Sequence, residues 1–401
     1  MEILKSERLS NLSYAIRGPI FDKALELEKE GHSVLKLNIG NPAPFGFDVP
    51  EGIREALKEH LKQAEGYSHH LGVMEVRETI CNYYLQHGFT GIKPEEIFVG
   101  NGVSELIIMC MQALLNPGDE VLVPAPDYPL WTAAVGFGGG TAVHYVCNEA
   151  DEWNPDVEDM ERKITPRTKA VVIINPNNPT GAVYKKEVLE KIVALAEKHN
   201  LVLFSDEIYD KILYDGLEHI PIATLSDNVH FMTFGGLSKN YFACGFRGGW
   251  VIPSGRKSKS FLEGLNLLAS MRLCANVPTQ YTIAAALKDD TVIRGMIAGG
   301  GRLYEQRNLI YEKMSAIDGV TCVKPKGSLY MFPGIDLSRF NLEDDVAFTY
   351  GLLTEQKVLV VAGTGFNFID KGHFRIVFLP DYATLSDAAD RIAEFLDSRR
   401  K

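Results

Sequence analysis

The chain has 401 residues, 46% of them hydrophobic and 23% charged, with a formal net charge of −11 and a pI near 5.5. That length and balance fit a globular protein with more than one core. The acidic surplus argues against nucleic acid and anionic membranes as partners, and no apolar stretch approaches bilayer length.

A helix is expected over 19–31, then a strand in VLKLNI (34–39). Apolar, β-branched runs follow as buried strands: IFVG (97–100), EVLVP (120–124), AVVIIN (170–175), LVLFS (201–205) and HFMTF (230–234). Helical patterns separate several of them, among them VSELIIMCMQALL (103–115) and KKEVLEKIVALAEKHN (185–200). Such alternation indicates an α/β fold with a parallel sheet. Towards the C-terminus SLYMFP, VLVVAG and HFRIVFLP read as strands of a smaller sheet, with helices near 343–355 and 384–398. The expected division is an N-terminal arm and part of a small domain (1–50), a large domain (51–300) and a small C-terminal domain (301–401).

The N-terminus carries acidic residues and no apolar core, so no secretory leader is expected. Six scattered cysteines form no CxxC pair, which suits free thiols in a reducing cytoplasm. The ten histidines contain no HxxxH spacing, and no metal centre is expected.

Open α/β sheets bind ligands outside the carboxyl ends of their strands. There the chain places GNGVSE, NPNNPTG, DEIYD and GGLSK, after four of the five candidate strands. Each has a purely structural reading: a tight turn with a helix cap, a turn, an acidic helix start, a surface lysine. Their order and spacing together favour one convergent site.

With these motifs in hand, the chain resembles class I aminotransferases of fold type I, which use pyridoxal 5′-phosphate. The likeness rests on NPNNPTG, DEIY, Ser238-Lys239 followed eight residues later by Arg247, and the late arginine of HFRIV. Within that family NIGNPAPFGF, GNGVSEL, PAPDYPLWTAAV and GLSKNYFACGFR are most similar to bacterial glutamate–pyruvate (alanine) aminotransferases. The resemblance implies a large cofactor-binding domain with a mostly parallel seven-stranded sheet, plus a smaller α/β domain.

It also implies roles. Lys239 would be joined covalently to the cofactor and then carry the proton; a lysine serves as base where a cationic or buried setting lowers its pKa. Asp206 would sit against the pyridine nitrogen, Asn178 and Tyr209 would bond the ring oxygen, and Tyr128 would stack on the ring. Gly102, Val103, Ser104, Ser238 and Arg247 would hold the phosphate. Many relatives have a serine three positions before the lysine, where this chain has Gly236. Tyr67 would reach the cofactor of a second subunit, so a homodimer is expected. Arg375 and Gly40 would receive the substrate carboxylate, with Tyr14 and Arg17 closing on the side chain. The implied reaction is ping-pong exchange of an amine between an amino acid and a 2-oxo acid, with alanine and 2-oxoglutarate as the pair. Aminotransferases of other specificity and carbon–sulfur β-lyases share these residues. A regulator built on the same fold would need a DNA-binding domain, for which no room is expected before Asn38.

Overall fold

An eight-stranded sheet organises the larger part of the molecule in the computed structural model, which describes residues 3–6, 9 and 18–401. The helix Pro19–Lys29, with proline at its first position, leads into a two-residue strand, β1 (Leu35–Lys36). The large sheet is then built from β2 (Phe98–Asn101), β3 (Glu120–Ala125), β4 (Thr141–Asn148), β5 (Asn154–Pro155), β6 (Thr168–Ile174), β7 (Val202–Asp206), β8 (His230–Gly236) and β9 (Gly248–Gly255). Their spatial order is β2-β9-β8-β7-β6-β3-β4-β5. Neighbours from β8 through β4 are parallel, β9 runs against both β8 and β2, and β5 runs against β4.

Both faces of this sheet are buried. Val121, Val123, Val172 and Phe204 face one apolar cluster, while Leu122, Val171, Ile173 and Leu203 face the other. That is why the parallel strands read as continuous apolar runs. Two strands lacked that texture. In β4, exposed and half-buried positions dominate, and β9 carries glycines and Pro253, which weaken a strand signal. The sheet has the seven strands expected, each of four to eight residues, and the two-residue β5 as an eighth.

The C-terminal part contains three small sheets where one was expected. Here β10 (Val320–Thr321) pairs with β12 (Gly334–Ile335), and β11 (Tyr330–Met331) pairs with β15 (Phe374–Val377), which also pairs with β14 (Val361–Ala362). The third sheet joins β13 (Val358–Leu359) in parallel to β1, Leu35 opposite Val358. Leu37 and Phe47 enter the same apolar cluster as Ile310, Phe348, Phe374 and Ile392. The helix expected near 343–355 is Asp345–Gly351, capped by the Asp344 side chain, and continues as a π-turn over Leu352–Gln356. Among the described residues, no helix is long and apolar enough to cross a membrane.

Candidate active site

The chain leaves β2, β3, β6, β7 and β8 through polar turns at the carboxyl edge of the sheet, and these turns meet around a cavity of about 910 Å³. Its lining includes Gly40, Val103, Ser104, Tyr128, Asn178, Asp206, Tyr209, Ser238, Lys239, Arg247 and Arg375.

After β6, the three asparagines of NPNNPTG divide their work. The Asn175 carbonyl oxygen of the side chain accepts the Tyr184 N–H at 3.0 Å. Asn177 Oδ1 accepts the Thr180 N–H and hydroxyl at 3.1 and 2.8 Å, which closes the turn. Asn178 alone lines the cavity, and its Oδ1 accepts from Arg375 at 3.0 Å.

Asp206 ends β7 and is 3% exposed. Trp131 Nε1 donates to its Oδ2 at 3.1 Å. Burial pushes this carboxyl up to about 6, while the bonds from Trp131 and the Ile208 N–H oppose the shift. No ion pair joins Asp206 to another described residue. One turn on, the Tyr209 hydroxyl donates to that of Tyr330 at 2.8 Å.

Beyond β8, Lys239 Nζ donates to the Gly40 carbonyl at 2.5 Å. The Cys244 thiol lies 3.9 Å from this amine and donates to the Ser238 carbonyl at 2.8 Å. The glycine at 236 has a steric reason: a Cβ there would come within 2.9 Å of Ile208 Cδ1 and 3.1 Å of the Gly248 carbonyl. A serine at that position would need the tip of the Ile208 side chain to shift and the Gly248 carbonyl to yield slightly.

Gly102, at φ +81°, turns β2 into the helix Val103–Leu114. A Cβ on it would strike the Arg247 guanidinium. Arg247 donates to the carbonyls of Cys244 and Asn101 at 3.0 and 3.3 Å. Asn101 is pinned in turn, through its N–H and side-chain amide, to Glu105 at 2.8 and 2.9 Å. A helix start beside a guanidinium suits a phosphate-sized anion.

Arg375, on β15, is 2% exposed. It donates to Asn178 and to the Asn38 carbonyl. Its guanidinium carbon lies 4.4 Å from the Tyr330 ring and 4.6 Å from that of Phe366.

Other sequence candidates fall elsewhere. Gly102 borders the cavity through Arg247 and does not line it. Tyr67 is 84% exposed and absent from the lining. Tyr14 and Arg17 lie outside the described residues. Trp131, Tyr330, Phe366 and Cys244 were not singled out from sequence. Trp131 stands three residues after Tyr128 in PDYPLW, a helical spacing that was available as a signal; Tyr330 looked like one more apolar strand residue in SLYMFP.

Comparison with known proteins places this geometry. The model of the family described as aminotransferase class I and II matches residues 32–392. The glutamate-pyruvate aminotransferase AlaA of Escherichia coli (strain K12) is 54% identical over 396 residues, covering 98% of each chain. The crystal structure of an aminotransferase from Escherichia coli superposes with a TM-score of 0.98 at 53% identity, covering all of both chains. The structure of an alanine aminotransferase from Pyrococcus furiosus gives a TM-score of 0.93 at 38% identity, covering 99% of this chain and 100% of that one.

Proposed function

The chain belongs to the class I and II aminotransferases, and we propose that it exchanges the amino group between L-alanine and 2-oxoglutarate, giving pyruvate and L-glutamate, with pyridoxal 5′-phosphate held in the cavity. The observation that carries this reading is the joint placement of Lys239, Asp206 and Arg375 around one space, in a chain 54% identical to a glutamate-pyruvate aminotransferase.

The residues fit the cofactor at both ends. Asp206 is a buried carboxyl with neutral hydrogen-bond donors, the setting in which a protonated pyridine nitrogen offsets the cost of its charge. The Val103–Ser104 helix start, Ser238 and Arg247 suit a phosphate. Bound there, the cofactor supplies an aldehyde that takes up an amine and a cationic ring that draws electrons from the substrate Cα.

The chain's own groups do the rest. Arg375, held by Asn178 and the Asn38 carbonyl, receives the substrate carboxylate through its planar fork. Lys239 would take the proton from Cα and carry it to the carbon that bore the aldehyde, and while it is not joined to the cofactor its amine donates to the Gly40 carbonyl. Asp206 keeps the ring nitrogen protonated. Asn178 and Tyr209 direct hydrogen bonds to the ring oxygen, and Tyr128 covers the ring. The same site serves both halves of a ping-pong cycle.

We further take the enzyme to be a cytoplasmic homodimer of amino-acid biosynthesis. Tyr67 stands outside its own cavity, and Leu267, Met271 and Leu273 are exposed at 60%, 73% and 54%. Such apolar exposure suits a second subunit, into whose site Tyr67 would reach. Free thiols at all six cysteines suit a reducing compartment. The pairing of β1 with β13 supports grouping residues 1–50 with the small domain (301–401), apart from the large domain (51–300).

The test is pyruvate formation by the cofactor-loaded protein from alanine, with and without 2-oxoglutarate. Acceptor-dependent pyruvate is the expected result. Pyruvate and ammonia released from cystathionine with no acceptor would point to a β-lyase instead.

A further inference from the structure

Tyr330 touches three parts of the site at once. Its strand, β11, runs antiparallel to β15 with Tyr330 opposite Val377. Arg375 lies two residues from Val377 and so shares its face of the sheet, diagonally across from Tyr330. The Tyr330 ring centroid is 4.4 Å from the guanidinium carbon. Its hydroxyl accepts from Tyr209 at 2.8 Å, the two rings meeting edge-on at 85°. Gly40 leaves room for that hydroxyl: a Cβ would strike it and lie 3.0 Å from the ring carbon that bears it. The Gly40 carbonyl in turn holds Lys239.

We infer that Tyr330 is a positioning residue that couples carboxylate binding at Arg375 to the hydrogen bond that Tyr209 offers the cofactor. The inference rests on the aminotransferase reading of the cavity. An aromatic face orients a guanidinium without occupying any of its N–H donors, which leaves the fork to carboxylate. The hydroxyl is both donor and acceptor. In this structure its oxygen accepts the Tyr209 hydrogen bond. With the cofactor bound it would instead donate to the Tyr209 oxygen, leaving the Tyr209 O–H for the ring oxygen. Burial, followed by the neighbouring Tyr330, pushes the Tyr209 phenol well above its ordinary range, so Tyr209 keeps its proton to offer. One ring therefore sets the plane of Arg375 and the direction of the Tyr209 proton.

Two substitutions separate ring from hydroxyl in the cofactor-loaded enzyme. Tyr330→Phe keeps the stacking face and should shift the pH at which the cofactor absorption titrates by about 0.4–1 unit, the effect of one neutral hydrogen bond. Tyr330→Leu should produce that shift and also weaken binding of propionate, a carboxylate without the amine, by about 3- to 30-fold relative to Tyr330→Phe. Tyr209→Phe should shift the titration as well, and adding Tyr330→Phe to it should shift it no further. An unshifted titration in Tyr330→Phe, equal propionate affinities in the Phe and Leu variants, or additive shifts in the double variant would overturn the coupling. Wild-type protein that takes up no cofactor and exchanges no amine would instead refute the aminotransferase reading itself.

Discussion

The indole of Trp131 donates to the Asp206 carboxylate at 3.1 Å, in a place where both side chains are almost wholly buried. A tryptophan donor is neutral at every pH, so it orients the acid without supplying the charge its burial calls for.

From this follows a pH dependence in the cofactor-free protein. Asp206 is raised from 3.8 to about 6. A carboxyl whose folded pKa is raised holds its proton more tightly when folded, so stability falls as pH rises from the unfolded value through about 6 and is level above that. Asp206→Asn removes the titration and can still accept from Trp131. Cofactor-free Asp206→Asn should exceed wild type by about 2–3 kcal/mol at about pH 8, and the gap should close towards about pH 4. Asp127, pushed up to about 7 by burial, titrates in both proteins and cancels. Urea denaturation across that range measures the difference. Loaded with cofactor, the order should reverse, and the variant should abstract the Cα proton much more slowly.

Lys239→Ala should retain cofactor through Arg247, Ser104 and Ser238 yet lose turnover by several orders of magnitude, since the covalent anchor and the proton carrier go together. Borohydride treatment and peptide mapping of the wild-type enzyme should find the cofactor on Lys239. Recovery on any other lysine would remove this assignment.

Arg375→Lys keeps the charge but loses the planar fork and the flat contact with Tyr330 and Phe366. We expect kcat/KM to fall about 10- to 100-fold for alanine and 2-oxoglutarate alike, the range for losing a hydrogen bond to a charged group. A loss confined to one substrate would mean that Arg375 does not read the carboxylate they share.

Arg17 should show the opposite pattern. Among the described residues, the cations lining the cavity are Lys239, Arg247 and Arg375, so the second carboxylate of glutamate needs another reader. A fixed arginine would be left buried and unpaired whenever alanine is bound; Arg17, which lies outside the described residues, is the reader that the sequence nominates together with Tyr14. Arg17→Ala should lower kcat/KM for glutamate and 2-oxoglutarate by about thirtyfold or more, with the alanine half-reaction little changed. Single-turnover measurement of both half-reactions decides; equal losses for both amino acids would exclude the role.

Much of this protein is local in origin. Short apolar runs, each ended by a characteristic polar turn, were enough to locate β2, β3, β6, β7 and β8 and to order the motifs of the site, because strand period and turn chemistry depend on near neighbours in the chain. The same local logic failed for β4, whose positions are mostly exposed or half-buried, and for β9, which glycines and Pro253 interrupt. Contacts across the chain decided the remainder. Sequence could nominate three asparagines, but only the closed turn shows that Asn175 and Asn177 hold it while Asn178 meets Arg375, 197 residues away. Lys239 finds the Gly40 carbonyl across 199 residues. Trp131 and Tyr330 matter through what they touch, and a tyrosine or tryptophan has the same local signature in a core as in a site. Residue type and period are written along the chain; which polar atom faces which is set by strand register and the packing of distant segments, and that geometry exists only in the folded state.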